Sequence, residues 1–575
     1  MKQVLLFTTA LLACGSLMGQ DLEKIGKKDM VSVGGGMGYN LVFQQVSGQS
    51  QLRDPFSWVY SGNVNVNFLG MSMPFTFSFS NQGKSYTQPF NMTALHPSWK
   101  WIKTHIGITS MQFSPYTYSG LNFAGGGVEL SPKRWRVKAF GGRFKKAIEY
   151  DPAVNNITTV SYRRMGGGLS FGYEAQKGGF NVIVLKAADD QRSLEMLSPN
   201  SELTPMDNVV TSVSGKLSIV KNLQLQAEYA VSMLTRNTLL VDSAVTEKRP
   251  FYFGLVNGNS STTAKSAYNA SLSYRFKTAS IAVKYERVAP DYLTLGGLFF
   301  NNDLENITLA PAVALFQNKL TVSANTGFQR NNLSGGSATA QRRWVASVSL
   351  SGQPVKGLTL NGAYSNFSSF TRRNPSAVPL YDPVLDTMNF YQVSENYNTG
   401  ISYTFGKKRK HAVSSNFAYV KSQNITGRLQ DAGAFGFNTS GTTLPVDVYT
   451  GMAAYTLQFV NGFALSCMGN YNRSVAAGTE NTFYGPGVNA SKAILDKKMN
   501  LQTGVTYNRQ LAGTTLTNHV MNLRMGVSYN PELWDKKFGK LALSLNGNFT
   551  QKFAVVSGAA SPTNLTVMTN LNYSF

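Results

Sequence analysis

Residues 564–575, NLTVMTNLNYSF, alternate between apolar and polar side chains as far as the final phenylalanine. One face of an extended chain would carry Leu565, Val567, Leu571, Tyr573 and Phe575, together with Thr569. The other face would carry Asn564, Thr566, Asn570, Asn572 and Ser574, with Met568 as the exception. A period of two residues is typical of a strand that has one face in an apolar medium and the other in water.

The aromatic end of this stretch adds a second expectation. A terminal strand that finishes on an aromatic residue resembles the C-terminal signal by which outer-membrane barrels are recognised and inserted. The resemblance implies that Tyr573 and Phe575 act as an insertion signal. It also implies two partners, namely the barrel-assembly machinery during insertion and the lipid of the outer membrane.

The N-terminal residues are typical of a secretory signal. Met1 and Lys2 are followed by an apolar stretch at 4–13 and by small residues up to Gly19, which predicts a signal peptide at 1–19 and a short periplasmic segment at 20–30. The stretch around Cys14 also fits a lipoprotein signal. Whether Cys14 is lipidated or removed with the signal stays open at this stage.

Composition excludes a helical membrane protein. Only 14% of the residues are charged and 12% are aromatic. Beyond the signal we find no run of about 18 apolar residues, which a transmembrane helix would need. Since irregular backbone is excluded from lipid, a closed sheet is the remaining way to cross a membrane.

Strand-like alternation recurs along the chain, most clearly at 63–68, 75–80, 271–276, 344–351 and 541–550. Short turns rich in Lys, Gly and Pro alternate with longer polar stretches. The fold class that we predict is all-β, a transmembrane antiparallel up-and-down β-barrel of about 26 strands, within a range of about 24 to 28.

The predicted barrel occupies residues 31–575 as a single domain, without a separate plug domain, because alternation begins near Val31. A barrel of this size has a wide lumen, and barrels of about 22 strands are commonly plugged. The lumen is therefore open, closed by infolded loops, or occupied by a protein partner.

The formal net charge is +24. Much of it lies in the short turns, where it would face lipid headgroups or periplasmic partners. Within the run of cations from 134 to 146, alternate members would point into the lumen, so Arg134, Arg136 and Lys138 are the candidate lumen charges, favouring anions. We expect no nucleic-acid partner for an exported barrel.

Catalytic motifs are absent from the sequence. The four histidines, His96, His105, His411 and His519, form no cluster along the chain, and no HExxH, CxxC or nucleophile elbow occurs. A histidine on a strand is expected to be a lumen or interface residue. We predict that the protein is not an enzyme and has no cofactor and no metal site.

Several blocks resemble a large-barrel family of outer-membrane proteins from Bacteroidota. They are SMPFTFSFS at 72–80, FSPYTYSG at 113–120, the Gly-rich stretch at 121–147 and FNNDLENITL at 300–309. The resemblance implies the outer membrane of a Gram-negative bacterium and no settled substrate. The tripeptides that contain Ser243 and Thr387 resemble the O-glycosylation sequon of that phylum, which makes both residues candidate modification sites.

Two functions follow from this reading. The first is a pore or transport channel for solutes, favouring anions. The second is a non-conducting barrel that serves as a subunit of a secretion, assembly or surface-attachment complex, with a protein partner in or at the lumen.

Overall fold

The computed structural model describes most of the chain from Val31 to Phe575. The described ranges are 31–48, 54–81, 91–152, 160–197, 202–241, 255–256, 258–297, 302–334, 342–366, 392–407, 409–424, 446–476, 478–531, 539–555 and 561–575. The predicted signal peptide, the segment at 20–30, Cys14, Ser243 and Thr387 lie outside these ranges, so those expectations stay predictions.

Strands account for nearly all the regular structure in the described ranges, apart from a 3-10 turn at Gln191–Ser193. The strands are β1 (Val31–Ser47), β2 (Phe56–Phe68), β3 (Met71–Ser80), β4 (Met92–Leu95), β5 (Ser98–Trp99), β6 (Ile102–Thr109), β7 (Phe123–Leu130), β8 (Trp135–Lys145), β9 (Arg164–Glu174), β10 (Gly178–Asp189), β11 (Asp207–Val220), β12 (Leu223–Thr235), β13 (Thr262–Arg275), β14 (Ala279–Val288), β15 (Leu304–Leu315), β16 (Leu320–Arg330), β17 (Arg342–Gly352), β18 (Leu358–Ser365), β19 (Gln392–Phe405), β20 (Lys410–Asn424), β21 (Val446–Gln458), β22 (Phe463–Ala476), β23 (Thr479–Ile494), β24 (Met499–Ala512), β25 (Thr515–Tyr529), β26 (Lys540–Ala554) and β27 (Thr563–Ser574).

Apart from β4 and β5, which do not pair with each other, each strand pairs antiparallel with its neighbours in the chain, and β1 closes the sheet by pairing with β27. At this closure Gly36 lies opposite Ser574, and the backbones of Gly35 and Phe575 exchange hydrogen bonds of 2.9 and 3.0 Å. Because β4 and β5 share one position between β3 and β6, the 27 strands fill 26 positions around the barrel, and we call each position a stave. The predicted barrel of about 26 strands is confirmed.

The registers assign every stave an inner and an outer face, because residues paired across an antiparallel sheet point the same way. On β27 the apolar set seen in the sequence faces outward, with Leu571 40% exposed. The outward set on other staves is equally apolar, as at Val33, Phe171 and Val283. Polar residues such as Asn570 and its partner Ser544 face the lumen.

The two rims of the barrel differ in their connections. Tight turns lie on the rim where β1 begins and β27 ends, which we call the short-turn rim, and include left-handed residues such as Lys133, Asn318 and Lys497. The opposite, long-loop rim carries most of the longer connections. The predicted alternation fails between β22 and β23 and between β24 and β25, where two-residue hairpins use Gly478 and Gly513 at φ values of 77° and 60°.

Aromatic side chains form two outward-facing belts, one near each rim. Near the long-loop rim, Tyr364, Tyr397 and Tyr419 lie side by side, with ring centroids 4.6 and 5.8 Å apart. Near the short-turn rim, Phe405 stacks on His411 at 5.0 Å. Tyr397 and Phe405 lie eight residues apart on β19, which at the usual rise and tilt is roughly 20 Å of height, close to the apolar band of outer-membrane barrels. Within the described ranges, no helix has the length and apolar character that crossing a membrane requires.

A charge placed on the outer face should destabilise the barrel far more than one placed on the inner face. Val283 faces outward near the middle of β14, and its neighbour Ala282 faces the lumen. We expect Val283→Arg to lower the free energy of unfolding in lipid vesicles by about 2–4 kcal/mol, because arginine would meet hydrocarbon. Ala282→Arg is the matched control, and equal effects in urea titrations of the two variants would contradict the face assignment.

Candidate functional site in the barrel lumen

The connection between β6 and β7, residues 110–122, turns into the lumen and packs on the inner wall. We call it the first inner segment. Tyr118 is fully buried, with its ring 4.4 Å from that of Phe140 and 5.2 Å from that of Phe144 on β8. Met111 and Leu121 belong to the same apolar cluster. An apolar layer therefore covers part of a wall that would otherwise face water.

Glycines on the inner face make room for this cluster. A Cβ atom at Gly168 would lie 2.6 Å from the ring of Phe140, and one at Gly127 would lie 2.4 Å from the sulfur of Met111. Such contacts are shorter than any packed pair of atoms allows, so any larger residue would displace the aromatic rings or the inner segment. The glycine triplets of β7 and β9 thus serve packing inside the lumen.

The connection between β14 and β15 supplies a second inner segment, residues 289–297, which lies against the first. The Ser119 amide donates to the carbonyl of Gly296 at 3.0 Å, and the Thr294 hydroxyl donates to the carbonyl of Thr117 at 2.7 Å. Residues 119 and 297 form a short parallel bridge. Together the segments cover the inner faces of the staves from β7 to β14.

Asn208 on β11 fastens the second inner segment to the wall. Its side chain is fully buried, donates to the Ser232 hydroxyl and the Met233 carbonyl at 2.8 and 2.7 Å, and accepts from the Leu295 amide at 3.0 Å. The Ser232 hydroxyl in turn donates to the carbonyl of Leu293 at 2.6 Å. One wall side chain therefore satisfies several buried polar groups at once.

Three buried tyrosines complete the contact between the inner segments and the wall. Burial raises the pKa of Tyr118 and of Tyr292, and burial followed by the charge of Glu286 raises the pKa of Tyr116. Each hydroxyl therefore stays protonated and donates: Tyr118 to the Leu121 carbonyl, Tyr292 to the Tyr116 carbonyl and Tyr116 to Glu286, at 3.0, 2.8 and 2.8 Å. These bonds hold both segments in a single arrangement.

Below the inner segments, towards the short-turn rim, lies a lumen charge cluster. Glu129 is shared by Lys138 at 3.2 Å and Lys103 at 3.9 Å. Glu174 is shared by Arg136 and Lys216, each at 3.1 Å. The cluster, Lys103, Glu129, Arg136, Lys138, Glu174 and Lys216, has four cations for two carboxylates, so positive charge is in excess. Lys138 also donates to the carbonyl of Gln112 at 3.4 Å, which links the cluster to the first inner segment.

The three candidate lumen charges separate in the structure. Arg136 and Lys138 share the inner face of β8 with Phe140. Arg134 lies in the preceding turn and donates to the hydroxyl of Tyr173 at 3.3 Å. The Tyr173 ring packs on Trp135, which is 43% exposed on the outer face. Arg134 thus differs from the expectation because the turn redirects the chain before the strand alternation begins.

Two histidines that are separate in sequence meet on the inner wall. The Nδ1 atoms of His96 and His105 are 3.0 Å apart, and His105 Nε2 is 2.8 Å from Glu129. His105 is buried next to the charge cluster, whereas His519 lies on the outer face with Tyr507. Among the described residues, no group of three or more His, Cys, Asp or Glu side chains is arranged to hold a metal ion.

The sequence allowed for infolded loops in the lumen but did not indicate which connections form them. The block at 113–120, one of those that resemble large barrels, is irregular chain inside the lumen. Its signal is the break in alternation at Pro115 combined with three aromatic residues, Phe113, Tyr116 and Tyr118, in a connection that should be polar. A polar loop in water would not need these apolar side chains.

Comparison with known proteins gives similarity of fold at low scores. No protein-family model and no curated protein matches the sequence. Among solved structures, the P pilus usher (PapC) translocation pore is 8% identical with a TM-score of 0.38, covering 94% of this chain and 98% of its own. Acinetobacter baumannii OccAB4 is 11% identical with a TM-score of 0.30, covering 71% and 98%. Pseudomonas aeruginosa OccK3 is 8% identical with a TM-score of 0.28, covering 72% and 96%. Such scores carry no argument about function, so the function is argued from the lumen itself.

Removing the Asn208 side chain should loosen the second inner segment while leaving the barrel closed. Asn208→Ala leaves the buried Leu295 amide without its acceptor, which costs about 1–3 kcal/mol. We expect faster hydrogen exchange at residues 292–297 and unchanged exchange in the staves. Asn325→Ala, on the inner face of β16 away from both segments, is the control, and equal exchange in both variants would contradict the anchoring role.

Proposed function

We propose that the protein is an outer-membrane channel for solutes, that it favours anions, and that the two inner segments narrow its passage. The observation that carries this proposal is the lumen wall. The part of this wall near the short-turn rim, on the staves β6 to β11, carries an excess of cations, and the staves that the inner segments leave uncovered carry many small polar side chains. A wall of this kind suits water and hydrated solutes.

The polar lining is extensive on the staves that the inner segments leave uncovered. Paired inner residues there include Ser323 with Ser349, Asn398 with Ala418, and Asn546 with Gly526. The hydroxyls of Ser323 and Ser349 lie 2.6 Å apart. Since these side chains are short, they leave the lumen wide and hydrated along these staves.

The diameter of the barrel indicates whether the inner segments narrow the lumen or close it. With strands about 4.8 Å apart and tilted by about 40°, a circular barrel of this strand number would be about 50 Å across. A single layer packed on a sheet stands about 10 Å from it. The two inner segments form one such layer on the staves from β7 to β14, so these segments alone narrow the lumen and do not fill it.

The anion preference rests on the excess of positive charge. The lumen charge cluster has two more cations than carboxylates, and Lys265, Arg275 and Arg524 add positive charge on the inner faces of other staves. The Debye length in physiological salt is roughly 8–10 Å. The cluster therefore attracts an anion that passes within this distance, because salt screens the interaction only partly over it. Anions are therefore concentrated in this part of the lumen.

Charge reversal on β8 should shift the ion selectivity. We expect Arg136→Glu and Lys138→Glu to move the reversal potential in a potassium chloride gradient towards potassium, because each change removes a cation from the lumen and adds a carboxylate. The measurement is single-channel recording in planar bilayers.

Arg134→Glu is the matched control, because Arg134 lies in the adjacent turn beside the outward-facing Tyr173. A similar shift in this variant would assign selectivity to rim charge and not to the lumen cluster. Folded wild-type protein that conducts no ions would contradict the channel proposal and favour the non-conducting complex subunit, with a partner in the lumen.

Replacing the first inner segment should widen the passage. A flexible Gly-Ser linker in place of residues 113–120 removes the aromatic layer that packs on Phe140 and Phe144, and it leaves the staves intact. We expect a higher single-channel conductance and less discrimination between small and large anions. Unchanged conductance in a barrel that still shows heat-modifiable mobility on gels would mean that the segment lies away from the ion path.

A further inference from the structure

A basic groove lies on the outer face of the barrel, close to the long-loop rim. It has a volume of about 500 Å³ and is lined by Ala124, Arg143, Arg163 and Met165. Ala124 lies opposite Arg143, and Arg143 opposite Met165, so all three share one face of neighbouring staves. That face is the outer one, because the next residue on β8, Phe144, is buried in the lumen cluster.

Regular alternation along β8 turns Arg143 outward, and Phe144, at a register shift directly after it, turns inward. The pairing of β8 with β9 changes between residues 143 and 145, which marks a β-bulge. Bulges redirect single side chains near the rims of barrels. Here Phe144 packs inward beneath Tyr118, while Arg143 stays outward at the end of the regular strand.

Among the described residues, the groove has more cations than carboxylate partners. Arg163 pairs with Asp190, but Arg143 forms no ion pair with any described carboxylate. Burial and then the charge of Arg143 lower the pKa of Lys146, just beyond the end of β8, so a further cation lies close by. The groove therefore carries an excess of positive charge.

Two other outward-facing arginines near the same rim do have carboxylate partners. Arg330 pairs with Glu305, and Arg473 makes a two-point contact with Glu480 at 2.9 and 2.8 Å. In both pairs a carboxylate of the protein itself neutralises the arginine. Arg143 has no such carboxylate among the described residues, so its guanidinium is available to bind an anionic ligand.

Apolar surface continues from the groove towards the middle of the membrane. Met165 is 47% exposed, and Leu169, four residues further along the same face of β9, is 51% exposed. A free inorganic anion would gain nothing from this surface. An anion that carries acyl chains would contact the arginine with its head and these side chains with its tail.

We propose that the groove binds the phosphate group of an anionic lipid in the leaflet at the long-loop rim, with Arg143 as its main contact. The planar guanidinium offers two parallel donors that match phosphate oxygens. Arg163 also lines the groove and, paired with Asp190, supplies a second, partly neutralised cation. This site depends on the barrel lying in a membrane and is independent of whether the lumen conducts.

Native mass spectrometry of the full-length protein in detergent tests the proposal. The probes are phosphatidylglycerol, diacylglycerol with the same acyl chains, and inorganic phosphate. We expect the wild type to retain phosphatidylglycerol in preference to diacylglycerol. Arg143→Gln should weaken this retention about tenfold, as the loss of a charge-assisted contact implies, and Arg143→Lys should restore part of it.

Arg473→Gln is the matched control, since it removes an outward arginine near the same rim that already has a carboxylate partner. We expect this variant to retain phosphatidylglycerol as the wild type does. Equal retention by wild type and Arg143→Gln, or equal losses in the glutamine variants of Arg143 and Arg473, would overturn the site. Displacement of phosphatidylglycerol by millimolar inorganic phosphate would overturn the lipid assignment. Heat-modifiable mobility on gels verifies that each variant is folded.

Discussion

Pairing of the backbone is the constraint on which the rest of the structure depends. In hydrocarbon each unpaired amide or carbonyl costs several kcal/mol, so a sheet that crosses a membrane must have no free edge. The pairing of β1 with β27 removes the edge, and its register from Gly36 with Ser574 to Ser47 with Thr563 extends along the whole closing strand. Once the sheet is closed, every side chain must face either the lipid or the lumen, and period-two alternation decides which.

The lumen is where this protein departs from a plain barrel. An inner wall of glycines and small residues gives two connections space to fold inward, and the aromatic rings of the first segment fill that space. The contacts are specific: the Asn208 side chain accepts from the Leu295 amide while it donates to two groups of the wall, and each buried tyrosine hydroxyl donates to one acceptor. A half-satisfied network in this position would be unstable, since water reaches the lumen and competes for every donor. The segments are therefore an integral part of the lumen wall.

Charged side chains, too, are distributed differently on the inner and the outer face of the barrel. On the inner face, cations and carboxylates are collected near the short-turn rim, where Glu129 and Glu174 each serve two cations. On the outer face, charged side chains lie near the long-loop rim, beyond the apolar band, and two of the arginines there are neutralised by neighbours. Arg143 faces outward by the same regular alternation, but it differs from those two because it forms no ion pair with a described carboxylate.

Alternation in the sequence was sufficient to predict the fold class, the approximate number of strands and the last strand of the barrel at residues 564–575. These features depend on local periodicity and on a solvent that enforces it, and both can be read from neighbouring residues. The inner faces of Arg136 and Lys138 follow from the same period. The inner segments, the meeting of His96 with His105 and the outward turn of Arg134 depend on which staves become neighbours and on where the chain leaves the sheet. Contacts between residues more than a hundred positions apart, such as Tyr116 with Glu286, decide the inner segments, and the pairing of neighbouring staves decides the other two features, so no local pattern encodes them.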